Sequence, residues 1–228
     1  MNGAESLVET LINNGVDVCF TNPGTSEMHM VAAIGKTNGM RSILGLFEGV
    51  CTGAADGYGR MAGKPACTLL HLGPGLSNGS ANLHNAKKAN SPVVNLIGDH
   101  ATYHKKYDAP LTSDIIGLAQ PVSDWVRTTE SAENLPGDAV DAVVEASTGQ
   151  GRISTLIVPA DCAWNESVAP LPLKTAPPAG SVSEAAVGQA AALLTNGAVT
   201  MLLVGNLALT ERCLELVNQI SQKTGARV

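Results

Sequence analysis

The sequence predicts an α/β fold: an open, mostly parallel sheet flanked by helices, followed by the start of a second α/β domain. Three observations lead there. Short apolar runs rich in Leu or β-branched residues recur, and each ends in Gly, Pro or Asp before a helix-like segment. The runs are continuous rather than alternating, which marks strands covered by helices on both faces. Charged residues are only 15% of the chain and hydrophobic ones 44%, so most of it folds.

Taken in order, the strand-like runs are VDVCFTNPG (16–24), SILGLFEG (42–49), ACTLLHLG (66–73), PVVNLIGD (92–99), STLIVPAD (154–161) and TMLLVGN (200–206). All six read as buried strands. Helices are expected near 3–14, 26–36, 50–62, 77–89 and 134–147, and this alternation is that of an open α/β layer. Gly numbers 24 while aromatics are 3%, a mix suited to tight turns and closely packed backbones.

Residues 1–165 are expected to form the first domain. Between 166 and 183 the composition turns to Pro170, Pro172, Pro177 and Pro178 among small residues, an extended linker. Residues 184–228 then read as helix, strand and helix. A lone unit of this kind cannot cover a parallel strand or satisfy its edges, so the expectation is a second domain begun and cut off.

The formal charge of −6 and the isolated pairs Lys87-Lys88 and Lys105-Lys106 make no nucleic-acid footprint. Five scattered cysteines without a CxxC pair read as small buried hydrophobes in a reducing compartment. No apolar stretch approaches the roughly 18 residues that span a bilayer, and no signal-peptide pattern opens the chain. A soluble, cytoplasmic protein that binds neither nucleic acid nor membrane is expected.

In parallel sheets, ligands bind at the carboxyl ends of strands. That rule selects Asn22-Pro-Gly-Thr-Ser-Glu27, Glu48-Gly49, His71-Leu-Gly-Pro-Gly75 and Gly98-Asp-His100. Glu48 has no charged neighbour between Arg41 and Asp56. Following a buried strand, its carboxyl group enters a poorly solvated place, where a raised pKa suits proton exchange with a nitrogen base. The plainer alternative is a helix-start Glu that favours the dipole. Gly49, Gly53 and Gly57 fall on one helix face, a stripe for ordinary helix packing or for a subunit or cofactor contact. His71 is either a satisfied loop histidine or a proton shuttle.

The loop Gly73-x-Gly75-x-x-x-Gly79, with Asp99 ending the next strand, is one residue off the dinucleotide fingerprint. A Rossmann dinucleotide-binding protein is therefore a rival reading. A non-catalytic module that uses the glycine stripe as a dimer surface is another. Asp99, His100 and His104 lack the spacing of a metal site and read as loop lining; no metal ligands are assigned, and His29 and His84 are given no role.

The order NPGTSE, LFEGVCTGAADGYGRMAGKP, LLHLGPG with Asn78, and SPVVNLIGD resembles the amino-terminal domain of thiamine-diphosphate-dependent enzymes. Acetolactate synthase large subunits and benzoylformate decarboxylase are the most similar members. The resemblance covers residues 1–165 as a pyrimidine-binding domain and 184–228 as the start of a middle, Rossmann-like domain. It implies that Glu48 hydrogen-bonds the cofactor's aminopyrimidine and favours the imino tautomer that removes the thiazolium proton. It implies cofactor contacts at Asn22, Pro23, Gly24, Glu48, Gly73, Pro74 and Asn78, with Glu48 and His71 catalytic. Thr25, Ser26, His71 and His100 fall where substrate is held, and Thr25 matches a hydroxyl residue touching the substrate carboxylate.

The implied reaction is decarboxylation of a 2-oxo acid with carboligation, acetolactate synthase-like; non-oxidative decarboxylation of the benzoylformate type is the alternative. A homodimer or homotetramer is implied, with thiamine diphosphate between subunits; a flavin is left open. His100-ATYHKKYDAPLTSDI departs from typical acetolactate synthases, which have a glutamine-containing turn there. The family's diphosphate and Mg2+ are held by a carboxy-terminal domain with a GDG…N motif, and that motif does not occur here. The expectation is that these 228 residues alone bind the cofactor weakly and turn nothing over.

Overall fold

The computed structural model describes residues 1–178 and 180–228. Ala179, within the expected linker, lies outside the described residues. Two compact units are present, Met1–Pro177 and Pro178–Val228.

The first unit is a parallel six-stranded sheet between two helical layers. Its helices and strands are α1 (Gly3–Asn13), β1 (Val18–Asn22), α2 (Met28–Lys36), β2 (Arg41–Leu44), α3 (Glu48–Ala62), β3 (Ala66–His71), α4 (Leu72–Lys88), β4 (Val93–Asp99), α5 (Ile115–Ala119), β5 (Trp125–Thr128), α6 (Leu135–Ala146), β6 (Ile153–Pro159) and α7 (Ala160–Trp164). The strand order is β2-β1-β3-β4-β6-β5. Every neighbouring pair is parallel.

Two apolar clusters follow from the two covered faces. Leu7 and Leu11 of α1, Met30 of α2, and Leu135 and Val143 of α6 pack on one face. Cys51 and Ala55 of α3, Leu76 and Leu83 of α4, and Ile115 of α5 pack on the other. β4 and β6 are buried along their whole length, which explains their unbroken apolar sequences. Inside the sheet the polar side chains are paired: Thr68 Oγ1 donates to Asn95 Oδ1 at 2.5 Å, and Asn95 Nδ2 donates to Thr155 Oγ1 at 3.1 Å.

The strand order places the reversal point at β1 and β3. From β1 the chain runs outward to β2, crosses back to β3, and then continues in the other direction. Such reversals open a crevice at the carboxyl ends of the flanking strands. Asn22 is in register with Leu70, and His71 with Gly98, so the loops after β1, β3 and β4 meet there.

Several expectations are corrected. The run 42–49 is not a buried strand: β2 ends at Leu44, lies at the sheet edge and is largely exposed. With a neighbour on one side only, its apolar residues Leu44, Leu46 and Phe47 face outward. α3 begins at Glu48 rather than at residue 50, because Phe47 is already the extended cap residue (φ −156°, ψ 138°). α4 begins at Leu72 rather than at 77, directly after the strand. Leu72 takes φ +46°, a conformation costly for a branched-chain residue, on the order of 1–3 kcal/mol; its complete burial holds it there. β5 was not expected, since Trp125-Val-Arg-Thr128 is short and half polar. The segment 200–206 makes only one bridge, Met201 to Arg227, and no strand. Among the described residues of its unit, no strand stands beside it to satisfy its backbone.

The second unit contains α8 (Glu184–Leu194), capped by Ser183, and α9 (Glu211–Thr224), capped by Thr210 and ended by Gly225 at φ +74°. Ahead of it, the Pro-rich stretch is fastened to the first unit as far as Lys174. Leu171 N donates to Thr10 Oγ1 at 3.0 Å, and Lys174 N to Asn14 Oδ1 at 2.9 Å.

Candidate functional site

The crevice between β1 and β3 holds a buried acid–histidine pair. Glu27, at the end of a 3₁₀ turn over Thr25–Glu27, is 0% exposed. Its Oε2 accepts the Gly24 N–H at 2.7 Å and lies 2.8 Å from His71 Nδ1. Burial pushes the Glu27 carboxyl group above its ordinary range, against the pull of the Gly24 N–H and of His71. The His71 side chain stays 21% exposed.

Two glycines make room for this pair. A Cβ on Gly24 would lie 2.3 Å from His71 Nδ1, and one on Gly98 would lie 1.7 Å from Glu27 Oε1. Gly24 therefore seats the ring and Gly98 the carboxyl group. Among the described residues, Oε1 is buried without a hydrogen-bond partner. Sequence reasoning missed Glu27, although a carboxylate three residues after Gly24 and just ahead of an apolar helix carries the spacing of a helix-start capping acid.

A second acid stands one strand away. Glu48 is the first residue of α3 and is half-buried rather than enclosed. Asn78 Nδ2 donates to its Oε2 at 3.0 Å. Its Oε1 would lie 3.5 Å from a Cβ on Gly75, and among the described residues it receives no hydrogen bond. Beside it, Asn22 Nδ2 donates to Gly45 O at 2.9 Å, which ties the end of β1 to the loop leading into α3. Glu48 is thus held by Asn78 and follows the loop that Asn22 ties down, in which Leu46 and Phe47 are exposed.

The glycine stripe on α3 does not serve one partner. A Cβ on Gly53 would meet Asn82 of α4 at 3.1 Å, and one on Gly49 would meet the Phe47 ring at 2.4 Å, whereas Gly57 faces open space. Close approach of α3 and α4 is secured by Asn82 Nδ2 donating to Gly49 O at 2.6 Å and Thr52 Oγ1 to Gly79 O at 3.0 Å. The run Gly73–Gly79 is not an open loop, since α4 already spans it. The face of Gly73 is filled by Ser113, and that of Gly79 by Thr52. Side-chain packing accounts for these glycines, and the dinucleotide reading loses its cradle.

His100 follows β4 at the same edge of the sheet. Its Nε2 is buried without a hydrogen-bond partner among the described residues, and its ring meets His104 edge-on at 5.4 Å. Asp99 accepts the His100 N–H at 2.7 Å and pairs with Lys105, while Asp161 takes both Thr102 N at 3.0 Å and Thr102 Oγ1 at 2.5 Å. These bonds fold the 99–107 segment over the strand ends. Thr25 is exposed, Ser26 and Pro23 are half-buried, and Pro74 is exposed in the first turn of α4. Among the described residues, no group of three or more His, Cys, Asp or Glu is placed to hold a metal ion, and no helix is long and apolar enough to cross a membrane.

Residues 1–120, which carry every one of these loops, match the family described as thiamine pyrophosphate enzyme, N-terminal TPP binding domain. The chain belongs to the thiamine pyrophosphate enzyme family. It is 53% identical, over its whole length, to a Mycobacterium tuberculosis protein named "Putative acetolactate synthase large subunit IlvX", of which it covers 44%. Benzoylformate decarboxylase of Pseudomonas aeruginosa is 31% identical over 67% of this chain and 29% of its own. In fold, the chain is similar to a Rhodococcus jostii RHA1 thiamine diphosphate-dependent 4-hydroxybenzoylformate decarboxylase. The TM-score is 0.89 at 24% identity, covering 99% of this chain and 43% of that one. The chain thus spans less than half the length of these thiamine pyrophosphate enzymes.

Proposed function

We propose that this chain supplies the aminopyrimidine-facing part of a thiamine-diphosphate-dependent enzyme that decarboxylates a 2-oxo acid and ligates the product, acetolactate synthase-like. The observation that carries the proposal is the setting of Glu48: a helix-start carboxyl group held by Asn78 from one side, with Oε1 receiving no hydrogen bond among the described residues and exposed apolar side chains just ahead of it. These residues fit the group. A flat heteroaromatic ring needs a carboxyl oxygen for a ring nitrogen and apolar contact for its face, and both are present. Asn22, Pro23, Gly24, Gly73, Pro74 and Asn78 are the further residues assigned to holding it. Thiamine diphosphate, when bound, supplies the electron sink that carbon–carbon cleavage next to a carbonyl requires.

The chain's own residues have separate tasks. Glu48 holds a proton at the ring nitrogen. Thr25, Ser26 and His100 orient the substrate carboxylate, and His71 moves a proton at Nε2. Mg2+ and the diphosphate are assigned to protein outside these 228 residues, in keeping with the 44% coverage of the most similar relative named above. A homodimer or homotetramer is proposed because Leu44, Leu46, Phe47 and Val50 form an exposed apolar group at the β2 edge. Cytoplasmic location is proposed from the free cysteines, four of them buried.

One observation favours the second reading, non-oxidative decarboxylation. The pairing of His71 with a buried acid suits a step in which a proton is delivered to the product carbanion. The test of the main reading is calorimetric titration of this chain with thiamine diphosphate and magnesium. Affinity near the millimolar range, about −4 kcal/mol, is expected because the anion-holding part lies elsewhere. Nanomolar binding would contradict that division of labour.

A further inference from the structure

We propose that Glu27 is a positioning residue of this site, which fixes His71 with its proton on Nδ1 and its Nε2 lone pair toward the crevice. The geometry assigns the direction of the hydrogen bond. Oε2 of Glu27 already accepts the Gly24 N–H at 2.7 Å. Its other partner is His71 Nδ1, 2.8 Å away; an ionised carboxylate has no proton to give, so the ring nitrogen donates and Nε2 is left as the acceptor of the ring. The ring cannot readily turn over, since Gly24 is pressed on one side of it.

Glu27 is fully buried, one of its oxygens has no partner among the described residues, and a glycine at 98 is required to seat it. A buried charge of this kind is weak evidence for a stabilising role. Gly24 and Gly98, on two different loops, are both explained by one acid–histidine pair. The pair resembles in logic any imidazole whose second nitrogen is anchored by a carboxylate.

The proton step balances within the chain. Nε2 takes a proton from a substrate-side group and becomes N–H, while Nδ1 keeps its own proton. The positive charge that forms is offset by the Glu27 carboxylate. Return of the Nε2 proton to the product side restores the starting state. This role rests on the reading of the crevice as a 2-oxo acid site. The tautomer does not, and it is measurable whether or not thiamine diphosphate binds.

The experiment is long-range 15N–1H spectroscopy on the 15N-histidine-labelled chain at about pH 8, with the His71 signal assigned by its loss in His71→Gln. The expected wild-type result is a neutral ring with the proton on Nδ1, favoured at least about tenfold, the bias of a charge-assisted hydrogen bond. Glu27→Leu is expected to shift the population toward the Nε2–H form that an unrestrained side chain prefers. Glu27→Gln is expected to keep the Nδ1 proton, because the amide oxygen still accepts. A wild-type ring protonated on Nε2 alone, or on both nitrogens, would overturn the proposal, as would an unchanged tautomer in Glu27→Leu. The wild-type spectrum decides even where the Leu variant does not fold.

Discussion

Gly98→Ala is the smallest change that should dismantle the acid–histidine pair. The added methyl group would sit 1.7 Å from Glu27 Oε1, 2.5 Å from its Cδ and 2.7 Å from its Cγ. Gly98 lies in a strand buried along its whole length, between β3 and β6, so the backbone has little freedom to retreat. The glutamate side chain must move, and its bonds to Gly24 N and His71 Nδ1 are lost with it. Hydrogen bonds to a charged group are worth about 1.5–3 kcal/mol each, and overpacking a tight core costs a further 1–3 kcal/mol or so. Because the displaced carboxyl group regains water, the lower end of the sum applies, and a loss of about 3–5 kcal/mol is expected. Urea denaturation followed by circular dichroism reads it as a lower midpoint of the first unit's transition at unchanged slope. A loss below about 1 kcal/mol would mean that Glu27 does not occupy this seat.

Other expectations follow from single contacts. Gly57→Ala, in open space within α3, should stabilise the chain by about 0.5–1 kcal/mol; loss of stability would instead place another chain against that face. Asn95→Leu removes two bonds from the polar row inside the sheet and leaves the Thr68 hydroxyl without its acceptor. A cost of about 2–3 kcal/mol in thermal or chemical denaturation is expected, and a neutral result would refute the pairing. Burial pushes Asp141 upward, but Arg127 and Lys174 outweigh it and hold its pKa below the ordinary 3.8. Its stabilisation is therefore present above about pH 4 and lost as pH falls through the folded value. Since the pair is partly exposed, Asp141→Asn should cost only about 0.5 kcal/mol at neutral pH, and progressively less as the solution is acidified below about pH 4. A penalty that grows in acid would reverse the sign.

The sheet was legible because its central strands are apolar on both faces, a pattern little else produces. All five helices expected in the first domain overlap observed ones, although α3 and α4 begin earlier than expected and the segment 26–36 opens with a 3₁₀ turn. What the pattern could not give was neighbourhood. SILGLFEG reads like its buried counterparts, yet an edge position leaves it exposed, and edge or centre is decided by strand order. TMLLVGN has the right composition but no partner strand among the described residues. At the site, Glu48 stood out because no other charged residue lies between Arg41 and Asp56, and His71 because it closes a strand just ahead of a glycine-rich run. Glu27 did not, since its burial depends on Gly98, which is remote in sequence and brought beside His71 only through the pairing of β3 with β4. The Gly73–Gly79 spacing misled for the opposite reason: local glycines imitate a phosphate loop, while in space Ser113 and Thr52 occupy the room they make.

The central claim is that Glu48 meets the pyrimidine end of thiamine diphosphate. Saturation-transfer NMR on this chain with excess thiamine diphosphate tests it most directly, since weak ligands suffice. The account predicts the strongest transfer at the pyrimidine ring proton and its methyl group, and loss of most of it in Glu48→Ala, a variant that keeps the wild-type melting curve. Equal transfer along the whole ligand, no transfer at all, or a signal indifferent to Glu48 would contradict it.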